Sequence, residues 1–128
     1  MKTATRLIGL PAILCVVLAT ASPTWAVNFN SPLMTVDGKT PLKQDGKIVM
    51  LAEVAQNALL ASYQDEPNLS GEEKVKRFAI ARKIEEQPKD PSLSAEDIAL
   101  IKKLIAKAYN PLVTSDAWLL LDPASVPK

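Results

Sequence analysis

The chain reads as a mainly α protein: a small bundle of three to four helices with a short N-terminal β-hairpin, preceded by a signal peptide. Three observations predict this class. Residues 1–26 hold a basic start, an apolar run and a small-residue exit. Residues 27–47 are punctuated by two Asp-Gly pairs, which mark turns. Residues 48–122 repeat apolar side chains at three- and four-residue spacing between proline-bearing breaks, the pattern of amphipathic helices. Residues 123–128, with Pro123 and Pro127, read as a flexible tail.

The opening segment follows the secretory order. Lys2 and Arg6 supply the positive start, and Leu7 to Ala19 is apolar apart from breaks at Gly9 and Pro11. Thr24 and Ala26 suit a cut after Ala26, while Ala19 and Ala21 offer an earlier site. The apolar run is shorter than the ~20 residues that span a bilayer, so no stable membrane anchor is expected. Cys15 follows Leu14, where a lipoprotein signal needs a small residue. Export predicts a periplasmic or secreted protein. Translation from Val27, whose codon can serve as a bacterial start, predicts a cytoplasmic one. The complete three-part order favours export.

From Val27 onward the first segment is extended. Asn28 to Pro32 forms a lead-in, and Leu33 to Val36 has strand composition. Asp37-Gly38 predicts a turn, Thr40 to Lys43 a returning strand, and Asp45-Gly46 a second turn. A lone two-stranded ribbon is marginal in water, so it must lie on the helices.

The first helix is expected from Ile48 or Met50 to Tyr63, burying Leu51, Ala55, Ala58, Leu59 and Ser62. Pro67 and its polar neighbours stop it. The second starts at Ser70, where Glu73 three residues on predicts a capping box. Glu72–Lys76 and Glu73–Arg77 are spaced as acid-first pairs. Its expected buried stripe is Val75, Phe78, Ala79 or Ala81, and Ile84. The third starts at the cap residue Ser94, with Asp97 three positions on, and buries Ile98, Ile101, Leu104 or Ile105, and Ala108. Its acidic start and basic end match the helix dipole. Asn110-Pro111 ends it, and a short fourth helix over about Ser115 to Leu121 carries Trp118, Leu119 and Leu121.

The bulk numbers exclude several functions. Lys2 and Arg6 are two of fifteen basic residues, so the thirteen from Val27 onward meet fourteen acidic ones, a net charge near −1. Nucleic-acid binders carry a basic stripe or a strongly positive domain, so no such partner is expected. Reading the third and fourth helices as a helix-turn-helix fails too, because the latter offers Asp116 and Trp118 rather than groups for base edges. Histidine is absent and Cys15, in the signal, is the only cysteine. The usual general base, thiol nucleophile and soft metal ligands are therefore missing. No catalytic residue, metal site or cofactor is expected.

Three constellations carry weight. Glu85-Glu86 with Asp90 is a carboxylate cluster, read as a solvated helix end for want of an acid/base partner. Lys102, Lys103 and Lys107 suit an anionic partner or, more simply, a charged outer face. Tyr109 and Trp118 serve either as core aromatics or as anchors for a protein partner, since aromatics are enriched at binding hot spots. These five residues, Lys102, Lys103, Lys107, Tyr109 and Trp118, are the expected partner-binding set.

Five stretches taken in order also form a pattern. They are Asn28-Phe-Asn-Ser-Pro-Leu-Met-Thr-Val-Asp-Gly-Lys39, Asn57-Ala-Leu-Leu-Ala61, Leu69-Ser-Gly-Glu-Glu-Lys-Val-Lys-Arg-Phe78, Leu93-Ser-Ala-Glu-Asp-Ile-Ala-Leu-Ile-Lys-Lys-Leu104 and Asn110-Pro-Leu-Val113. In this order the chain from Val27 to Leu121 resembles a group of small proteins encoded by tailed bacteriophages and prophages. The resemblance implies a compact accessory protein with a role in particle assembly and no catalytic residues to carry over. Those proteins begin near the equivalent of Val27 without an export signal, which is where this chain departs from them. Two functions follow as expectations: a non-enzymatic interaction protein of phage descent, or an exported periplasmic helical protein binding a ligand of unknown class.

Overall fold

A computed structural model describes residues 26–127. The export reading of residues 1–26 lies outside the described residues except for Ala26. Among the described residues the protein is mainly helical, with four helices and a short two-stranded antiparallel hairpin ahead of them. The hairpin pairs β1 (Lys43–Gln44) with β2 (Lys47–Ile48). The helices are α1 (Leu51–Leu60), α2 (Gly71–Glu86), α3 (Ala95–Ala108) and α4 (Pro111–Leu121), followed by a 3-10 turn at Pro123–Ser125. No helix among these residues is long and apolar enough to cross a membrane.

The ladder forms around Asp45-Gly46, not around Asp37-Gly38 as the sequence pattern suggests. Asp45 and Gly46 both hold positive φ, 53° and 79°, the backbone that a two-residue primed turn requires. The stretches expected as strands, Leu33 to Val36 and Thr40 to Lys43, meet only through the isolated bridge Met34–Pro41. Between them Asp37 organises its own loop. Its carboxylate accepts from the Lys39 and Thr40 amides and from the Thr35 and Thr40 hydroxyls. Those bonds, led by the Thr40 amide, hold its pKa far below the ordinary carboxylate range. A side chain that takes four local donors stabilises a loop in place of a ladder.

Helix α1 starts at Leu51 without a side-chain cap from Met50. Its free amides are met by the lead-in instead: Leu51 N–H donates to Ser31 O and Ala52 N–H to Phe29 O, both at 2.9 Å. Phe29 and Leu33 are fully buried beside it. The lead-in therefore caps α1 and fills the core at once. Helix α1 ends three residues earlier than expected, with Ala61 already extended. Ser62 is exposed, and Val54 joins Leu51, Ala55, Ala58 and Leu59 in the core.

Helix α2 departs most from expectation. Val75 and Phe78 are exposed, at 69% and 52%, and the buried stripe is Arg77, Ile80, Ala81 and Ile84. The stripe holds both isoleucines of the helix, which are buried in the core where α2 packs on α1, and Phe78 lies off it. Ser70 Oγ accepts from the Glu73 amide at 3.1 Å, but the return half of the expected capping box is missing. Glu73 turns toward Arg77, 3.7 Å away, while Glu72 and Lys76 form no ion pair. Helix α3 carries the full box instead, Ser94 and Asp97 each satisfying the other's amide. It buries Ile98, Ile101, Leu104 and Ile105; Ala108 is exposed.

Helix α4 begins four residues earlier than expected. Asn110 caps it, accepting from Val113 N–H at 3.0 Å, and Pro111 sits at the first helical position, where no amide is lost. Asn110-Pro111 thus ends α3 and starts α4 in the same step. Val113, Ala117 and Leu121 are buried at four-residue spacing, whereas Leu119 is exposed. Helix α1 packs on α2 and α3, and α3 packs on α4. The Met34 amide donates to Asp116 Oδ2 at 2.6 Å, which ties the lead-in to α4.

Candidate functional site

The five expected partner-binding residues do not converge. Trp118 and Lys102 form one unit: the half-buried indole N–H donates to Lys102 O at 3.0 Å, and Lys102 Nζ lies 4.6 Å from the centre of the Trp118 ring. The same ammonium pairs with Asp122 at 3.1 Å. This unit straps the end of α4 to α3. Lys107 sits elsewhere, 3.0 Å from Asp65, 3.4 Å from Glu66 and 5.4 Å from the centre of the Tyr63 ring. Its pKa is raised, chiefly by the hydrogen bond to Asp65. Lys103 is exposed, as a solvated outer face requires. The carboxylate cluster is dispersed as well. Glu85 accepts from Gln56 at 2.9 Å, Glu86 pairs with Arg82 at 3.4 Å, and Asp90 accepts from the Ser92 amide.

Tyr109 is the expected residue that lines a cavity. It ends α3, packs partly on the core, and receives a hydrogen bond from Asn57 Nδ2 at 3.3 Å. Two cavities of about 400 and 290 Å³ share Tyr109, Asn57, Glu53, Gln44 and Val49. Together they form one groove between the hairpin, the outer side of α1 and the start of α4. The wall beyond is apolar, with Leu112 and Val113, and Ile48 is 44% exposed beside it. Lys43 and Lys47 balance Asp45 and Glu53 on its rim.

A second site was not anticipated. Arg77 is 4% exposed, the one charged residue that is buried among the described residues. Its Nη1 and Nη2 donate to Glu66 Oε1 and Oε2, both at 2.9 Å. That fork lowers the Glu66 pKa to about 2 and raises that of Arg77. Arg77 Nε is buried with no hydrogen-bond acceptor, Glu73 lying too far away at 3.7 Å. Tyr63 braces the same loop, donating to Ala58 O at 2.6 Å with Leu104 O at 3.3 Å. Burial pushes its phenol pKa up. Between the end of α1, this loop and α2 lies a cavity of about 420 Å³. The signal for Arg77 was present in the sequence. Ile80, Ala81 and Ile84 define a helical face whose preceding member is residue 77, not Phe78.

No family model, curated protein or solved structure matches the chain.

Proposed function

We propose that the protein is a non-enzymatic interaction protein of phage descent, acting in an accessory or assembly role by holding a protein partner in the groove over Tyr109. One observation carries this reading. Planar hydrogen-bonding side chains (Gln44, Glu53 and Asn57) stand with the Tyr109 ring over an apolar wall, in a groove whose rim charges balance. Such a surface suits an extended, uncharged polypeptide segment, its main-chain groups meeting the polar side chains and a small apolar side chain resting on Val49 and Leu112. A binding role is favoured over a chemical one because the charged groups that cluster are spent on each other, as in Arg77–Glu66 and Lys102–Asp122. Phage descent rests on the ordered resemblance described above.

The test pairs two variants with a stability control. Partner recovered by cross-linking from the native host with the full chain should be lost from Glu53→Lys and Tyr109→Phe proteins that unfold normally. Equal recovery would remove the groove from consideration. Flanking capsid or tail genes would favour the phage reading, and their absence would weaken it.

A second reading, an exported periplasmic binding protein, is favoured by the complete order of basic, apolar and small-residue regions in residues 1–26. The N-terminal residue of the native protein separates the two. Val27 exposed supports cleavage; an initiator methionine in its place would exclude export.

A further inference from the structure

We infer that the cavity beneath the α1–α2 connection binds a small monocarboxylate with an apolar body, whether a free amphipathic acid or the carboxy-terminal residue of a polypeptide. Its volume, about 420 Å³, lies within the range of small-molecule sites. Leu59, Leu60, Pro67 and Leu69 supply apolar walls, and Leu60 is left 55% exposed beside them. That apolar surface fits the body of the ligand.

The charges select its head. Glu66, Lys74 and Arg77 line the cavity, and the first and last neutralise each other through their fork. Lys74 is exposed and, among the described residues, has no carboxylate within ion-pairing distance. The lining therefore carries one uncompensated positive charge, on an exposed side chain. Arg77 adds no net charge, being matched by Glu66, so Lys74 is the group that meets the ligand's carboxylate. A monoanion balances this lining, while a dianion would set a second negative charge near Glu66. The Arg77–Glu66 fork and the Tyr63 hydroxyl hold the loop in place beforehand, so little ordering cost falls on binding.

The cavity shares no lining residue with the groove over Tyr109, so this inference and the proposed function fail separately. The test follows the methyl NMR signals of Leu59, Leu60 and Leu69 in the full chain during titration with sodium octanoate, N-acetyl-leucine and octanamide. Saturable shifts are expected with one or both acids. Octanoate acting alone assigns a free amphipathic acid, and N-acetyl-leucine acting alone a polypeptide terminus. Octanamide, which keeps the apolar body without the charge, should bind about threefold more weakly, and Lys74→Glu, which reverses the charge, should weaken the acids by at least that factor while Lys74→Arg retains them. Three results would overturn the inference: no saturable shift with either acid, equal binding of octanamide, or acid binding unchanged in the exposed-site variant Lys74→Glu.

Discussion

Arg77 and Glu66 meet through two parallel N–H···O bonds of 2.9 Å, a fork that closes the α1–α2 connection onto the core. Both side chains are largely withdrawn from water, 5% and 15% exposed. Removing one partner leaves the other's charge desolvated. Lys107, 3.4 Å from Glu66, remains as its partner, so Arg77→Ala is expected to cost about 2–3 kcal/mol, less than a wholly unpaired buried charge would. Arg82→Ala, which breaks the solvent-exposed pair with Glu86, should cost about 0.5 kcal/mol or less. Urea denaturation of both variants measures the contrast, and equal costs would refute it.

The same fork makes stability depend on acid. Glu66 titrates at about 2 in the folded protein and near its ordinary 4.5 once unfolded, because Arg77 favours the ionised form. A folded pKa below the unfolded one gives stability that is complete above the unfolded value. It is lost as pH falls through that window toward about 2. Comparing denaturation at about pH 6 and about pH 3 should show a loss in the native protein and a smaller one in Glu66→Gln. Asp37, held low by four local donors, contributes in the same direction.

The orientation of α2 has a simple check. Phe78→Ser removes a half-exposed ring and should change stability by about 0.5 kcal/mol or less, whereas Ile80→Ala empties a core position and should cost about 2–4 kcal/mol. Thermal or urea unfolding with the reverse order would mean that Phe78 faces the core.

Trp118 joins α3 to α4 by one hydrogen bond and one cation–π contact. Trp118→Phe keeps most of the ring but loses the N–H donor, with an expected cost of about 1 kcal/mol. Loss of partner capture without loss of stability would instead assign the indole to an interface.

At α1 the start has no side-chain cap, so its entry depends on distant carbonyls. Ser94→Ala, by contrast, removes a local capping box and should cost about 1 kcal/mol wherever α3 is placed. Hydrogen exchange of the first α3 amides should rise in that variant and stay unchanged at α1.

Much of this was legible because the signals were local. Ser94 followed by Asp97, the apolar spacing of Ile98, Ile101 and Leu104, and the Asp45-Gly46 turn all act within a few residues. The set Lys102, Lys107, Tyr109 and Trp118 was legible only as residue types. Which of them is spent on structure depends on Asp122, Asp65, Asn57 and the Lys102 carbonyl, groups that only packing brings near. Arg77 was missed because an aromatic side chain gives Phe78 the stronger claim to burial by residue type, although the spacing of Ile80, Ala81 and Ile84 points to residue 77.

The helical class, the cap residues Ser70 and Ser94, the breaks at Pro67 and Pro111, and the near-neutral charge were all readable along the chain, since each follows from short-range backbone chemistry or composition. Tertiary structure alone decided the capping of α1 by Ser31 and Phe29, the rotation of α2 that buries Arg77, and the grouping of side chains around the two cavities. The reason is one of range. A helix face, a backbone carbonyl and a charge acquire their roles only against partners far away in the chain, and the burial of Ile80, Ile84, Phe29 and Leu33 chooses those partners.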